Sequence, residues 1–94
     1  MGMFVYGGTV RETTAVLEAA PTAFVDACSK SFSRLYGKPP GAAERSSWEK
    51  SWPELLRALM QAGLGELRLF LEYELPGSGQ RVDALLLGLA RTAG

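Results

Sequence analysis

The chain contains no histidine and only one cysteine among its 94 residues. Without histidine it lacks the most common general base and metal ligand of enzymes. The single cysteine, Cys28, excludes an internal disulfide and is typical of a reducing compartment, so we expect a cytoplasmic protein. Cys28 lies between Phe24 and Phe32 at helical spacing. This spacing predicts a small buried side chain rather than a nucleophile.

The sequence also lacks net charge and long apolar runs. Ten basic and ten acidic residues balance to a formal charge of zero. A strong non-specific nucleic-acid binder would normally be basic, although a local basic patch is compatible with this balance. The longest apolar run, residues 84–90, is far too short to cross a bilayer, so we expect no membrane partner. The N-terminal sequence predicts no signal peptide.

Helical patterns cover the chain from about residue 9 to residue 63. Thr9 and Glu12 have the spacing of a capping box, which predicts a first helix from about residue 10 to residue 19. Apolar side chains at helical period predict a second helix over residues 22–36.

Two shorter helices are predicted next. The first covers residues 42–50, and Ser51 caps the second, which has Pro53 in its first turn and ends at Gly63. A short strand is predicted at residues 4–6, closed by the two glycines that follow.

The apolar period changes from 3.6 to 2 near Leu67, which predicts a β-hairpin over about residues 67–88. The order of a small strand, several helices and a hairpin predicts an α/β (α+β) fold in a single domain, residues 1–94. In this fold several N-terminal helices pack on a small sheet built around the C-terminal hairpin.

The register of the hairpin follows from its turn. If Leu75 and Gln80 close a four-residue loop, Glu72 faces Asp83 across the strands. One face, predicted to be core, then carries Leu67, Leu69, Leu71, Tyr73, Val82, Ala84 and Leu86. The opposite face carries Phe70, Glu72, Glu74, Arg81, Asp83, Leu85 and Leu87.

The pair of Glu72 and Asp83 needs a compensating cation. Two carboxylates on Cβ atoms ~5 Å apart repel each other by up to about 1 kcal/mol. One interpretation is a surface ion pair with Arg81, worth about 0.2–1 kcal/mol. Another is a divalent cation, since Mg²⁺ is typically held by one or two carboxylates with waters and phosphate oxygens. Geometry alone favours the ion pair, because charged hairpin faces are common.

Two stretches resemble a known family. Residues 72–88 read E-Y-x-L-P-x-S-x-x-R-V-D-x-L-L-x-G, and residues 47–55 are similar to an S-W-x-x-S-L-x-x-L helix. Both patterns resemble the N-terminal region of DUF2075-type proteins, which are DNA/RNA helicase-like ATPases. That region in turn resembles the PD-(D/E)XK nucleases. The resemblance implies an incomplete restriction-endonuclease-like core.

The resemblance also implies roles for three residues. Asp83 matches the metal-binding aspartate of the second core strand, and Glu72 matches an auxiliary acidic position of the first. Both become candidate catalytic and metal ligands for Mg²⁺ or Mn²⁺. Arg81 is the cation next to them, and it becomes the candidate contact to DNA or RNA. A guanidinium offers only hydrogen-bond donors, so Arg81 is given no acid–base role.

The E-x-K strand of such nucleases has no counterpart here, and all three lysines precede the hairpin. Cleavage needs metal-bound carboxylates and a cation near the developing charge. We therefore expect a partial nuclease-like domain of a helicase-associated protein that is not catalytically competent alone. Whether the whole protein is an enzyme stays open.

The alternative function is a non-catalytic protein-interaction or oligomerisation module, in which the acidic pair is only surface. The strand over residues 81–87 is predicted to leave one apolar edge open. Such an edge favours pairing with another chain, so we expect a homo-oligomer.

Trp48 and Trp52 are four residues apart and allow two interpretations. They could form a stacking platform for single-stranded nucleic acid. Residues at this spacing are more often core anchors on one helix face, and we favour the core.

Overall fold

The computed structural model describes residues 3–88, which form a mixed fold of three helices and one antiparallel sheet, as predicted. In chain order the elements are β1 (Tyr6–Thr9), α1 (Val10–Ala19), α2 (Pro21–Tyr36), α3 (Ala42–Gln61), β2 (Arg68–Glu74) and β3 (Arg81–Leu87). The strand order is β1-β2-β3, so β2 is central. No helix in this range has the length and apolar character needed to span a membrane.

The first two helices lie where the sequence places them. Thr9 Oγ1 accepts a hydrogen bond from the backbone N–H of Glu12, and Glu12 Oε1 accepts one from the backbone N–H of Thr9, each at 3.1 Å. This capping box satisfies two N–H groups at the start of α1. Helix α2 ends at Gly37, whose φ of 75° is left-handed. Glycine adopts this conformation without the penalty of a Cβ atom.

The third helix corrects a prediction. Residues 42–50 and the segment after Ser51 were predicted as separate helices, but α3 is continuous from Ala42 to Gln61. Ser51 does not cap a helix; its hydroxyl donates to the backbone carbonyl of Ser47 at 2.7 Å. Pro53 lies inside the helix and costs it one backbone hydrogen bond.

Tertiary packing explains the continuity of α3. Trp48, Trp52 and Leu56 recur every four residues along one face, and all three are buried. The two indole rings stack with centroids 4.8 Å apart. Burial of such side chains contributes about 1.5–3 kcal/mol each, which offsets the missing bond at Pro53. The core interpretation of the tryptophans is therefore confirmed, and a base-stacking platform is wrong.

The first strand is also displaced from its predicted position. It covers Tyr6–Thr9 and includes the two glycines that were predicted to close it. A Cβ atom at Gly7 would lie 3.1 Å from the rings of Phe4 and Phe70. The absence of a side chain at Gly7 thus makes room for these two rings.

The register of the hairpin matches the prediction. Leu71 pairs with Ala84, and Glu74 pairs with Arg81. The turn is closed by a hydrogen bond of 2.8 Å from the backbone N–H of Leu75 to the carbonyl of Gln80.

The two predicted faces of β2 are wrong from Glu72 onward. Glu72 has a φ of 52°, a left-handed value that breaks the alternation of side chains along the strand. Its side chain is buried, and its carboxylate accepts a hydrogen bond from Trp48 on α3 instead of pointing away from the helices. Tyr73, predicted in the core, stacks parallel to Phe4 at 6.5 Å and contacts Phe70 at 5.9 Å.

One hydrophobic core joins the helices to the sheet. Its buried members are Val5, Val10, Leu17, Phe24, Val25, Cys28, Phe32, Trp48, Trp52, Leu56, Leu69 and Leu71. Burial raises the pKa of the Cys28 thiol to about 12, so the thiol stays protonated at neutral pH. The prediction that Cys28 is a small buried residue is confirmed.

Candidate functional site

A cleft of about 390 Å³ opens between helix α3 and the hairpin. Its polar walls consist of Glu44, Ser47 and Ser51 from α3 and Glu72, Arg81 and Asp83 from the hairpin. The three residues singled out in the sequence thus share one cleft. Their catalytic, metal-binding and nucleic-acid-binding roles stay predictions.

Glu72 is the most buried of the polar residues that line the cleft. The residue is 6% exposed. Its Oε1 accepts a hydrogen bond of 2.7 Å from Trp48 Nε1, and its Oε2 lies 3.8 Å from Arg81 Nη1. Burial raises the pKa of the Glu72 carboxyl, while Trp48 and Arg81 lower it and the charges of Glu44 and Asp83 raise it. Burial has the largest effect on this pKa. It raises the pKa because a buried site disfavours the charged form of the carboxyl.

Arg81 connects the hairpin to both long helices. Its Nη1 lies 3.2 Å from Glu44 Oε1 on α3. Its guanidinium carbon lies 5.3 Å from the ring centroid of Phe32 and 5.2 Å from that of Tyr36, and both rings belong to α2. These distances are within the range of cation–π contacts, each worth about 0.5–1 kcal/mol at exposed sites. The side chain is therefore held by two carboxylates and two rings.

Asp83 is the accessible acid of the cleft. The residue is exposed, and within residues 3–88 it forms no ion pair. The neighbouring pairs, Leu71 with Ala84 and Tyr73 with Val82, place Asp83 opposite Glu72, as the length of the turn predicted. Its charge also contributes to the raised pKa of Glu72. Asp83 is thus the carboxylate most available to a ligand.

The cleft contains oxygen donors of the kind that hard cations prefer. Carboxylate and hydroxyl oxygens are the ligands that Mg²⁺ and Mn²⁺ prefer. In the part of the chain that the structure describes, however, no group of three or more acidic or cysteine side chains is close enough to hold a metal ion. One or two carboxylates are the usual protein share of a Mg²⁺ site that is completed by phosphates and waters. Two of these oxygen donors, Glu72 and Asp83, line the cleft, and Arg81 lies beside Glu72.

Two residues of the cleft escaped the sequence argument. Glu44 and Trp48 lie one turn apart on α3, and they contact Arg81 and Glu72 respectively. Their spacing of four residues is visible in the sequence. Both residues lie in the helix predicted over residues 42–50, but their contacts with the hairpin join residues far apart in the sequence.

Comparison of the chain with protein-family models, curated proteins and solved structures gave no match. The resemblance of residues 47–55 and 72–88 to helicase-like proteins therefore stays a prediction based on those motifs.

Proposed function

We propose that this chain is a partial PD-(D/E)XK nuclease-like domain of a helicase-associated protein, and that its cleft binds a divalent cation beside nucleic acid. The observation that carries the proposal is the conformation of Glu72. A non-glycine residue at φ 52° with a buried carboxylate is unfavourable on two counts. Strain of about 1–3 kcal/mol at such positions is concentrated at functional sites. The carboxylate also faces the same cleft as Asp83.

In this proposal Asp83 and Oε2 of Glu72 hold Mg²⁺ or Mn²⁺. The bound cation would neutralise phosphate charge and lower the pKa of a coordinated water. Cleavage also needs a cation close to the developing charge. Arg81 is already paired with Glu44 and Glu72. Within residues 3–88 the cleft therefore has no free cationic side chain for this purpose. We therefore expect binding of metal and nucleic acid without cleavage by these residues alone.

Isothermal titration calorimetry with Mn²⁺ tests the metal site. We expect wild-type protein to bind one Mn²⁺, and Asp83→Asn to bind it at least about tenfold more weakly, because one of two charged ligands is lost. Glu18→Gln is the matched control. Glu18 is an exposed carboxylate on α1 outside the cleft, and its removal should leave Mn²⁺ affinity unchanged.

Nucleic acid provides the second arm of this experiment. Short duplex DNA or single-stranded RNA should raise the Mn²⁺ affinity of the wild type, since phosphate oxygens complete the coordination. No heat of Mn²⁺ binding in the wild type, with or without nucleic acid, would overturn the proposal. Equal affinity in Asp83→Asn would overturn the assignment of Asp83.

The position of β3 favours a second candidate function, self-association. β3 is an edge strand, and within residues 3–88 no strand pairs with its outer side. Leu87 at its end is 52% exposed. An unpaired apolar edge is a template for a strand of another chain. We propose pairing of β3 with β3 of a second copy, since one edge strand can pair with its own copy about a two-fold axis.

Sedimentation velocity over a roughly hundredfold range of protein concentration tests this pairing. We expect a dimer whose population falls in Leu87→Lys, because a lysine on the edge opposes strand pairing. Val16→Lys is the control: Val16 is 47% exposed on α1, away from the edge. A wild-type monomer at every concentration would contradict the proposal, as would equal loss of dimer in both variants.

A further inference from the structure

We infer that the face of the sheet turned away from the helices binds the same face of a second copy of this chain. The inference is independent of the cleft. It also differs from the pairing of β3 edges, because it depends on the side chains of a sheet face and not on the backbone of an edge strand.

The register of the sheet defines this face. Leu69 and Leu71 are fully buried in the core, so the side chain of Phe70 between them points away from the helices. Residues that pair directly across two strands share a face. The surface that we call the outer face therefore consists of three rows across the sheet: Phe4, Tyr73 and Val82; Gly7, Phe70 and Leu85; and Thr9, Arg68 and Leu87.

Three aromatic rings form a continuous surface on the outer face. The ring of Phe4 lies 4.8 Å from that of Phe70 and 6.5 Å from that of Tyr73. Gly7 makes room for the first two rings, because a Cβ atom there would lie 3.1 Å from both. The left-handed backbone of Glu72 breaks the alternation along β2 and so brings Tyr73 to the same side as Phe70.

The outer face is apolar, but no helix covers it. Six of its nine residues are aromatic or aliphatic, and within residues 3–88 none of the six belongs to the hydrophobic core or packs against it. Phe4 is 36% exposed and Leu87 is 52% exposed. An antiparallel sheet with one face in water normally carries polar residues on that face. The composition of the outer face therefore indicates a contact surface.

The size of the outer face suits a weak dimer. β2 and β3 are seven residues long each. Strands about 4.8 Å apart that rise about 3.3 Å per residue give the three-stranded face an area of roughly 300 Å². Each partner of a stable interface buries about 800 Å². We therefore expect a dimer that dissociates on dilution.

The charge of the outer face favours a second copy as its partner. Arg68 is the only charged residue among the nine, and it lies at one end of the central strand. A polyanion such as nucleic acid would need several cations on this face. The uncharged centre of one outer face is matched by that of another copy, since the centres of interfaces are depleted of charge. A two-fold axis makes such a surface complementary to itself.

Arg68 also selects the arrangement of the two copies. Sheets that pack face to face keep their strands nearly aligned, so a two-fold axis between them runs either along the strands or across them. An axis along the central strand places Arg68 against the partner's Arg68, and the like charges repel. An axis across the strands at the middle row places Arg68 against the partner's Tyr73.

The second arrangement is the one that we assign. Within residues 3–88 Arg68 forms no ion pair, so its guanidinium is available to the rings of the other copy. A guanidinium over an aromatic ring is a favourable cation–π contact. The two-fold axis repeats this contact at both ends of the interface, and Phe70 meets the partner's Phe70 at its centre.

Sedimentation velocity at increasing protein concentration tests the outer face. Phe70→Lys should raise the Kd of the dimer more than about tenfold, because it places two lysines at the centre of the interface. Val16→Lys is the matched control: Val16 is 47% exposed on α1, and the dimer should keep the Kd of the wild type. Phe70 lies on the central strand, so edge pairing does not depend on it. A dimer that survives in Phe70→Lys but is lost in Leu87→Lys would overturn the inference and leave the pairing of β3 edges.

Arg68→Gln keeps the test decisive if Phe70→Lys fails to fold, since Arg68 is exposed. The substitution should raise the Kd of the dimer about tenfold, because the contact with the rings occurs twice. Lys30→Gln removes the same charge from an exposed position on α2 and should leave the Kd unchanged. A tighter dimer in Arg68→Gln would show that the arginines face each other and would overturn the assigned arrangement. An unchanged Kd in Arg68→Gln, or a wild type that is monomeric at every concentration, would overturn the inference.

Discussion

Replacement of Trp52 by alanine is expected to lower the free energy of unfolding by about 3–5 kcal/mol. Trp52 is buried, stacks on Trp48 at 4.8 Å and meets the ring of Phe24 edge-on at 5.8 Å. Its truncation leaves a cavity where α2 and α3 meet the core. Domains are stable by about 5–15 kcal/mol, so this loss is a large share of the total. Urea denaturation followed by circular dichroism measures it.

Val16→Ala is the control for this measurement. Val16 is 47% exposed on α1, so its truncation should change stability by less than about 1 kcal/mol. A loss below about 1 kcal/mol for Trp52→Ala would contradict the continuous buried face of α3. That face depends on Trp48, Trp52 and Leu56 being buried together.

Replacement of Arg81 by alanine is expected to destabilise the protein by about 2–4 kcal/mol at neutral pH. The substitution leaves the buried carboxylate of Glu72 without its neighbouring cation. It also removes the contacts of the guanidinium with Phe32 and Tyr36. We set the range below that of a fully buried ion pair, because about a third of the Arg81 side chain is exposed.

The loss should depend on pH, and its direction follows from the raised pKa of Glu72. A carboxyl with a raised pKa in the folded state stabilises the fold when it is protonated, and this contribution is complete below the ordinary value of 4.5. The contribution disappears as pH rises through the pKa of the folded state. Arg81 lowers that pKa, so its removal raises the pKa further. Arg81→Ala should therefore cost more stability at neutral pH than in acid.

Arg81→Met separates the charge of Arg81 from its packing. Methionine keeps an apolar chain against Phe32 and Tyr36 but carries no charge. We expect a smaller loss than in Arg81→Ala but a similar dependence on pH. Urea denaturation from acid to neutral pH measures both quantities. A loss from Arg81→Ala that is the same at every pH would show that the charge of Glu72 is not its source.

The parts of the fold that the sequence predicts correctly are those set by local chemistry. The capping box of Thr9 and Glu12 fixed the start of α1, because both hydrogen bonds form within one turn. The loop between Leu75 and Gln80 fixed the register of the hairpin, since turn length determines which residues face each other. The register also placed Glu72 opposite Asp83. That both side chains line one cleft depends in addition on the left-handed backbone of Glu72, which the sequence did not predict.

The errors come from tertiary packing and from one backbone angle. Ser51 and Pro53 are good local signals for a new helix, but the buried face of α3 outweighs them. The left-handed φ of Glu72 has no signal in its residue type, since glycine and asparagine are the usual residues there. Alternation along β2 therefore predicted the wrong face for Glu72. The bond from Trp48 joins residues 24 positions apart, which no local rule reveals.

The left-handed backbone of Glu72 has a consequence for protein engineering. Glycine at position 72 would relieve the backbone and remove a buried acid in a single step. The same step would delete an oxygen donor from the cleft and leave the indole of Trp48 without its acceptor. The relief of the backbone would thus be opposed by the cost of a buried donor without a partner, about 1–3 kcal/mol.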